Sequence, residues 1–212
     1  MPVKLRQSQA AEPLENFEFN RALKKALSPE GYRFKIASGD EFVLFARRNS
    51  YKPGPGVHEK EEIKLDLFHV KEGRLIIAGY MDCSNTYYAG GRAESLCSYS
   101  IQWDVLDSAQ DHIKEAERAR AMEEALLVFD DYSVHGHGSF KGIGSFLLGF
   151  QNAYSKSRGI RLFILAEPSH SGEQLFRSFY PKDCISEVKG EIYTLFVDLS
   201  KVEIPKPEIK RV

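Results

Sequence analysis

Apolar residues along this chain recur with two different periods, and each change from one to the other marks an element. Over residues 14–27, Phe19, Leu23, Ala26 and Leu27 stand at helical spacing, and Pro29 with Gly31 closes the segment, so one short helix is predicted. Residues 31–48 turn extended in two runs, YRFKIAS and EFVLFARR, divided by Ser38, Gly39 and Asp40, which predicts a hairpin. Two prolines and two glycines crowd residues 51–60 and predict a flexible loop without ladder bonding. Beyond it Ile63, Leu65 and Leu67 alternate with Lys64 and Asp66. Lys71, Glu72 and Gly73 then turn the chain into RLIIAGYMD, whose apolar residues nearly fill both faces, and a second hairpin is predicted.

Residues 85–97 mix polar and aromatic positions and read as a loop. A strand follows around 100–107, where Ile101, Trp103 and Val105 alternate and Trp103 faces the core. Residues 108–127 predict a charged amphipathic helix with Ile113, Ala116, Met122 and Leu126 on one face, and residues 129–137 predict a further strand. Ile143, Phe146, Leu147, Phe150 and Tyr154 then repeat at helical spacing over 142–158, and Gly159 ends that helix. An unbroken apolar run at 160–167 predicts a strand buried on both faces. Ser171 and Gln174 form a capping box for a helix that runs to about Phe179, before Pro181. Residues 185–188 and 191–200, joined by Lys189 and Gly190, predict a terminal hairpin, and the Pro- and Lys-rich stretch 201–212 reads as a tail. Hairpins followed by strand, helix, strand, helix and hairpin predict an α+β fold. Its central sheet is mixed, mostly antiparallel and flanked by helices.

The 212 residues suffice for one domain with a substantial core. With 29 Lys and Arg against 30 Asp and Glu, the formal charge is −1, and no basic cluster stands out, which argues against a nucleic-acid partner. No apolar run approaches the roughly 20 residues of a membrane span, and the first residues lack the apolar segment of a secretory signal. The expectation is a cytoplasmic protein without a membrane partner. Cys83, Cys97 and Cys184 are odd in number and widely spaced, so reduced thiols are expected rather than disulfides or zinc ligands. His135 and His137 share one side of a strand, yet no further ligand follows at recognisable spacing, so no metal is expected.

The stretch VHGHGSFKGIGSFLL at 134–148 carries the chemistry, because it sets a glycine-rich turn between a strand and an amphipathic helix. Gly142 and Gly144 lack the Cβ atoms that would hold a ligand off, and amides at a helix start attract anions such as phosphate. A nucleotide-binding loop is a weaker reading, since the Gly-Lys-Ser/Thr ending is absent. Asp130, Asp131 and His135 are candidate general bases on or beside the strand, and His135 ranks first because an imidazole titrates near neutral pH.

Residue by residue, the stretch resembles the acyl-CoA signature of the GNAT superfamily of acetyl-CoA-dependent N-acyltransferases, V-x-P-x-Y-[QR]-x-x-G-x-G. Val134 takes the first position, Gly136 stands for proline, Gly138 for the aromatic and Ser139 for Gln or Arg, while Phe140, Lys141, Gly142, Ile143 and Gly144 match in position and character. Residues 162–182 resemble the following strand and helix, N-x-x-A-x-x-L-Y. There Ser169 stands for Asn, Gly172 for Ala, Leu175 for Leu, and Phe176 for the usual Tyr. The resemblance spans about residues 129–199.

It implies a GNAT-like fold in which residues 1–128 are an N-terminal portion with atypical acceptor-side elements, 129–200 the acyl-CoA-binding core and 201–212 a tail. It also implies acetyl-CoA as acyl donor and a primary amine, on a small molecule or a protein, as acceptor, with a homodimer left open. The diphosphate would rest on amides from Phe140, Lys141, Gly142, Ile143 and Gly144 to Ser145, near Ser139. The pantetheine arm would run beside Ser133, Val134 and His135. Phe176 cannot donate a proton to the leaving thiolate, so Tyr180, one helical turn on, is the substitute candidate, with Ser169 or no dedicated acid as alternatives. A non-catalytic acyl-CoA-binding or protein-interaction module of the same fold is the alternative function.

Overall fold

The computed structural model describes residues 10–52, 54–55, 57–88, 93–101, 140–166, 170–190 and 193–212. Their architecture is α+β. Nine strands form one mixed sheet: β1 (Glu12–Pro13), β2 (Tyr32–Lys35), β3 (Glu41–Tyr51), β4 (Val57–Lys71), β5 (Arg74–Tyr88), β6 (Ala93–Ile101), β8 (Leu162–Ala166), β9 (Ile185–Lys189) and β10 (Tyr193–Asp198). Their spatial order is β1-β2-β3-β4-β5-β6-β8-β10-β9. All neighbours are antiparallel except β1 with β2 and β6 with β8. Two short strands, β7 (Phe140–Lys141) and β11 (Lys210–Arg211), pair separately. Among the described residues the α-helices are α1 (Phe19–Ala26), α2 (Ile143–Ser157) and α3 (His170–Phe179). Among the described residues no helix is long and apolar enough to cross a membrane.

Helix α2 organises the core. It begins after Gly142, in the left-handed region at φ 93°, and ends at Gly159, φ 74°. The end is a Schellman closure: Ile160 N–H donates to the Ser155 carbonyl at 2.9 Å and Gly159 N–H to that of Lys156 at 3.0 Å. Phe146, Leu147, Phe150 and Tyr154 are buried as their spacing requires. Phe146 meets Phe34, which stacks between Tyr32 and Phe42 on adjoining strand positions. Phe17 closes this aromatic layer against Tyr32, Phe146 and Phe150. A second apolar cluster, Val43, Phe68, Leu75 and Ile77, lies apart from the main core.

Several elements differ from the sequence expectations. The first helix is two pieces, a 3-10 turn at Leu14–Asn16 and α1, because the Glu18 carboxylate caps α1 by accepting from the amides of Asn20 and Arg21. The 51–60 loop is shorter than its prolines suggest, since the β3–β4 ladder extends to Tyr51 opposite Lys60. Residues 85–97 are no simple loop: β5 runs to Tyr88 and β6 resumes at Ala93, with Cys83 opposite Cys97. The strand at 100–107 therefore begins earlier, as β6. Trp103 and Val105, the helix at 108–127 and the strand at 129–137 lie outside the described residues.

The segment RLIIAGYMD looks apolar on both faces because it is bulged. Leu67 pairs with Gly79 and Phe68 with Ile77, so Ala78 is an extra residue and the alternation shifts parity there. Leu75 and Ile77 consequently join the second cluster, whereas Met81 and Cys83 join the core beneath α2. Strand β8 is not buried on both faces, since Phe163 and Leu165 are buried but Leu162 and Ile164 are partly exposed. Helix α3 starts one residue ahead of the predicted cap, at His170. The final segment is packed rather than loose: Val202 and Ile209 are buried, and β11 pairs with β7.

Candidate functional site

The start of α2 is where the glycine-rich turn predicts an anion cradle. Phe140 and Lys141 form β7, Gly142 supplies the left-handed turn, and no side chain caps the helix. Among the described residues, the amides of Ile143, Gly144 and Ser145 have no backbone acceptor outside the helix, as is usual for a first turn. The resulting partial positive charge favours an anion. A cavity of about 720 Å³ opens beside this turn, lined on α2 by Gly142, Ser145, Gly149 and Ala153 and opposite by Phe19 and Phe179.

The close approach at Gly142 involves the chain itself. A Cβ there would overlap the carbonyl oxygen of Glu208, so glycine is required both by φ and by this neighbour. On the flank of β7, the Phe140 ring packs edge-on against Phe42 and His69, with centroids at 5.0 and 4.8 Å. His69 Nε2 lies 3.4 Å from Asp40, and the Arg211 guanidinium lies 3.5 Å from the same carboxylate. Burial pushes the His69 imidazole below its usual range, and Asp40 opposes that shift.

Of the residues assigned from sequence, Phe140, Lys141, Gly142, Ile143, Gly144 and Ser145 are thus brought together at the turn. Ser133, Val134, His135, Ser139 and Ser169 lie outside the described residues, as do Asp130 and Asp131. Tyr180 is buried between α2 and α3. Its hydroxyl is 2.6 Å from Asn152 Nδ2 and 2.9 Å from Asn152 Oδ1, which accounts for it as a packing residue with a satisfied polar end. Phe176 is likewise core, stacked on Phe163 with an interplanar angle of 11° and edge-on to Tyr180.

Sequence reasoning missed a second polar constellation, centred on Glu61. This carboxylate is 1% exposed. Asn85 Nδ2 donates to it at 3.0 Å, the Tyr87 hydroxyl at 3.1 Å and the Tyr154 hydroxyl at 2.8 Å. The Arg48 and Arg158 guanidinium groups stand 3.9 and 3.8 Å away. Glu61, Asn85 and Ser95 are direct cross-strand neighbours on β4, β5 and β6. Burial, reinforced by the bond to Glu61, pushes the Tyr154 hydroxyl well above its usual range; burial first raises that of Tyr87 too. The network therefore gathers phenol and amide donors on one buried carboxyl group and ties the C-terminal half of α2 to the sheet. Its signal was the odd-numbered alternation Glu61, Ile63, Leu65, Leu67, hidden in the charged run HEKEE. Among the described residues no group of three or more His, Cys, Asp or Glu is placed to hold a metal.

In comparisons with known proteins, no family model matches this chain, and no curated protein matches it either.

Proposed function

We propose that this chain is an acyl-CoA-dependent N-acyltransferase of GNAT type that transfers acetyl from acetyl-CoA to a primary amine. One observation carries the reading: β6 and β8 are parallel neighbours in a largely antiparallel sheet, paired among the described residues from Glu94 opposite Leu162 to Cys97 opposite Leu165. Such a parallel pair, connected in sequence through a helix, supports the mixed GNAT-like sheet in which the acyl donor would lie. Helix α2 lies between these strands in sequence and packs against β6, with its bare N-terminal amides beside a cavity. A diphosphate on the amides of Gly142 to Ser145 fits the helix dipole.

In the reaction, the neutral amine attacks the thioester carbonyl, a C–N bond forms and the C–S bond breaks. A strand amide steadies the oxyanion, the amine proton passes to a base, and the thiolate leaves or is protonated. His135 remains the proposed base. The buried hydroxyl of Tyr180 makes solvent a better proton source than that side chain.

Burial of Phe176, where the family pattern carries tyrosine, favours a second reading, a non-catalytic acyl-CoA-binding module. Thermal unfolding with acetyl-CoA, CoA or ATP tests both. A ligand bound only by the folded state raises the melting temperature, so a rise with the CoA species and none with ATP is expected. No rise with either CoA species rejects both readings. Thiol release over a panel of amines then separates them, with turnover expected for the enzyme and none for the module.

A further inference from the structure

We propose that one water molecule is bound in the interior between helix α2 and strands β5 and β6, at a site independent of the acyl-CoA reading, where it donates to Asn85 Oδ1 and Gln151 Oε1 and accepts from the Ser95 hydroxyl. Asn85, Ser95 and Gln151 are each 0% exposed, and these three atoms have no hydrogen-bond partner in the protein. Buried polar groups are rarely left so, because an unmade bond costs the desolvation of the group.

Asn85 stands between Glu61 and Ser95 in register, on one face of the sheet. Its Nδ2 is committed to Glu61 at 3.0 Å, so Oδ1 is the atom left over. Ser95 faces Asn85 across the ladder, yet no direct bond joins its hydroxyl to Oδ1. On α2, Gln151 commits Nε2 to Ser155 Oγ at 3.2 Å, which leaves Oε1. Helix α2 packs over β5 and β6, and Tyr154, one turn on from Gln151, reaches Glu61 in the same polar row. Two unpaired acceptors and one hydroxyl free to donate match a water, which donates twice and accepts, and interior waters make about three such bonds. An ammonium ion would leave the Ser95 proton without an acceptor and add a cation near the guanidinium groups of Arg48 and Arg158. With the water in place, Tyr154, Glu61, Asn85 and Gln151 form a closed polar circuit that clamps the second half of α2 onto the sheet.

The test uses the full chain and the substitutions Ser95→Ala and Gln151→Met, which remove one partner each with little change of shape. Oxygen-17 relaxation dispersion detects water held inside a protein, and its amplitude should fall by the equivalent of one molecule from the parent to the double variant. An unchanged amplitude overturns the site. In urea unfolding either substitution alone breaks the bridge, so the second should weaken the folding equilibrium about tenfold less in the presence of the first than by itself. Additive losses overturn the site, because the three atoms then do not meet at one place. Ammonium chloride and sodium chloride at equal ionic strength should give the parent protein the same midpoint, and a higher midpoint with ammonium overturns water as the occupant. Should the double variant fail to fold, rotating-frame Overhauser contacts between water and the side-chain amide protons of Asn85 or Gln151 decide in the parent: contact upholds the site and its absence overturns it.

Discussion

The hydroxyl of Tyr154 on α2 donates to Glu61 Oε1 on β4 at 2.8 Å, joining residues 93 positions apart across the interior. Removing the donor leaves a buried carboxyl oxygen without this partner, so Tyr154→Phe should cost about 1–3 kcal/mol. Glu61→Ala should cost more, because it leaves Asn85, Tyr87 and Tyr154 without their acceptor at about 1–3 kcal/mol for each donor left unsatisfied, while the half-exposed Arg48 and Arg158 add little. Urea unfolding at neutral pH measures both. Equal, small losses would mean that the network is hydrated in solution.

Buried tyrosines set the alkaline limit of stability. Burial, with the charge of Glu12 adding to it, pushes the Tyr32 hydroxyl up to about 12, and Tyr154 is raised in the same direction. The unfolded chain releases these protons near pH 10 while the folded chain keeps them. Their contribution is therefore complete below pH 10 and is lost as pH rises through the folded values. Stability measured from pH 9 to 12 should fall above about pH 10, and Tyr32→Phe should make that fall shallower. An unchanged slope in the variant would refute the assignment.

His69 works on the acid side. Its imidazole is held below the usual histidine range mainly by burial, so on acidification the unfolded chain takes up a proton near pH 6.5 before the folded chain does. Stability present above that pH is lost as pH falls toward the folded value. Unfolding free energies between pH 7.5 and 5 should decline in the parent protein and decline less in His69→Phe. A steeper decline in the variant would reverse the sign of this argument.

Most of the fold was legible, and the limits have physical causes. Helix α2 could be read from its apolar stripe and from glycines at both ends, and the β2–β3, β4–β5 and β9–β10 hairpins from alternation with a turn between. The bulge at Ala78 was invisible as such, because an apolar residue on either side of a parity shift looks like burial on both faces. Glu61 was hidden because a carboxylate is buried only when donors come to meet it, and its donors lie on β5 and α2, outside the local sequence window. The packing of residues 202–211 was missed for the same reason. Two prolines signal an irregular path but not what lies under it. The sequence reading has Gly142 make room for a ligand, whereas the neighbour that a Cβ there would meet is the chain's own Glu208 carbonyl.

Phe176 shows why a family residue cannot simply be restored. Its ring is 1% exposed between Phe163 and Tyr180, so a hydroxyl added there would be buried without an evident partner. Phe176→Tyr should destabilise by about 1–3 kcal/mol and leave any turnover no higher. Denaturant unfolding and the thiol-release assay check the two halves separately, and a gain in rate would place the ring nearer the reacting atoms than its packing indicates.

Two glycines of the same helix predict substitutions of opposite sign. At Gly142, φ is 93° and a Cβ would run into the Glu208 carbonyl, so Gly142→Ala adds strain in the left-handed region and a steric conflict with backbone. The expected loss is about 1–3 kcal/mol. Gly149 lies inside α2, where a Cβ would meet Ile204 Cγ2 and Phe179 Cζ at 3.7 Å, an ordinary van der Waals distance. Gly149→Ala should therefore gain about 0.5–1 kcal/mol from reduced freedom of the unfolded chain. If residues 204–211 cause part of the conflict, combining Gly142→Ala with Ile209→Asp should cost less than the two single losses added together, since the Glu208 carbonyl is then free to move aside. Strict additivity in the double-mutant cycle would show that the strain at Gly142 is local to its own backbone and independent of residues 204–211.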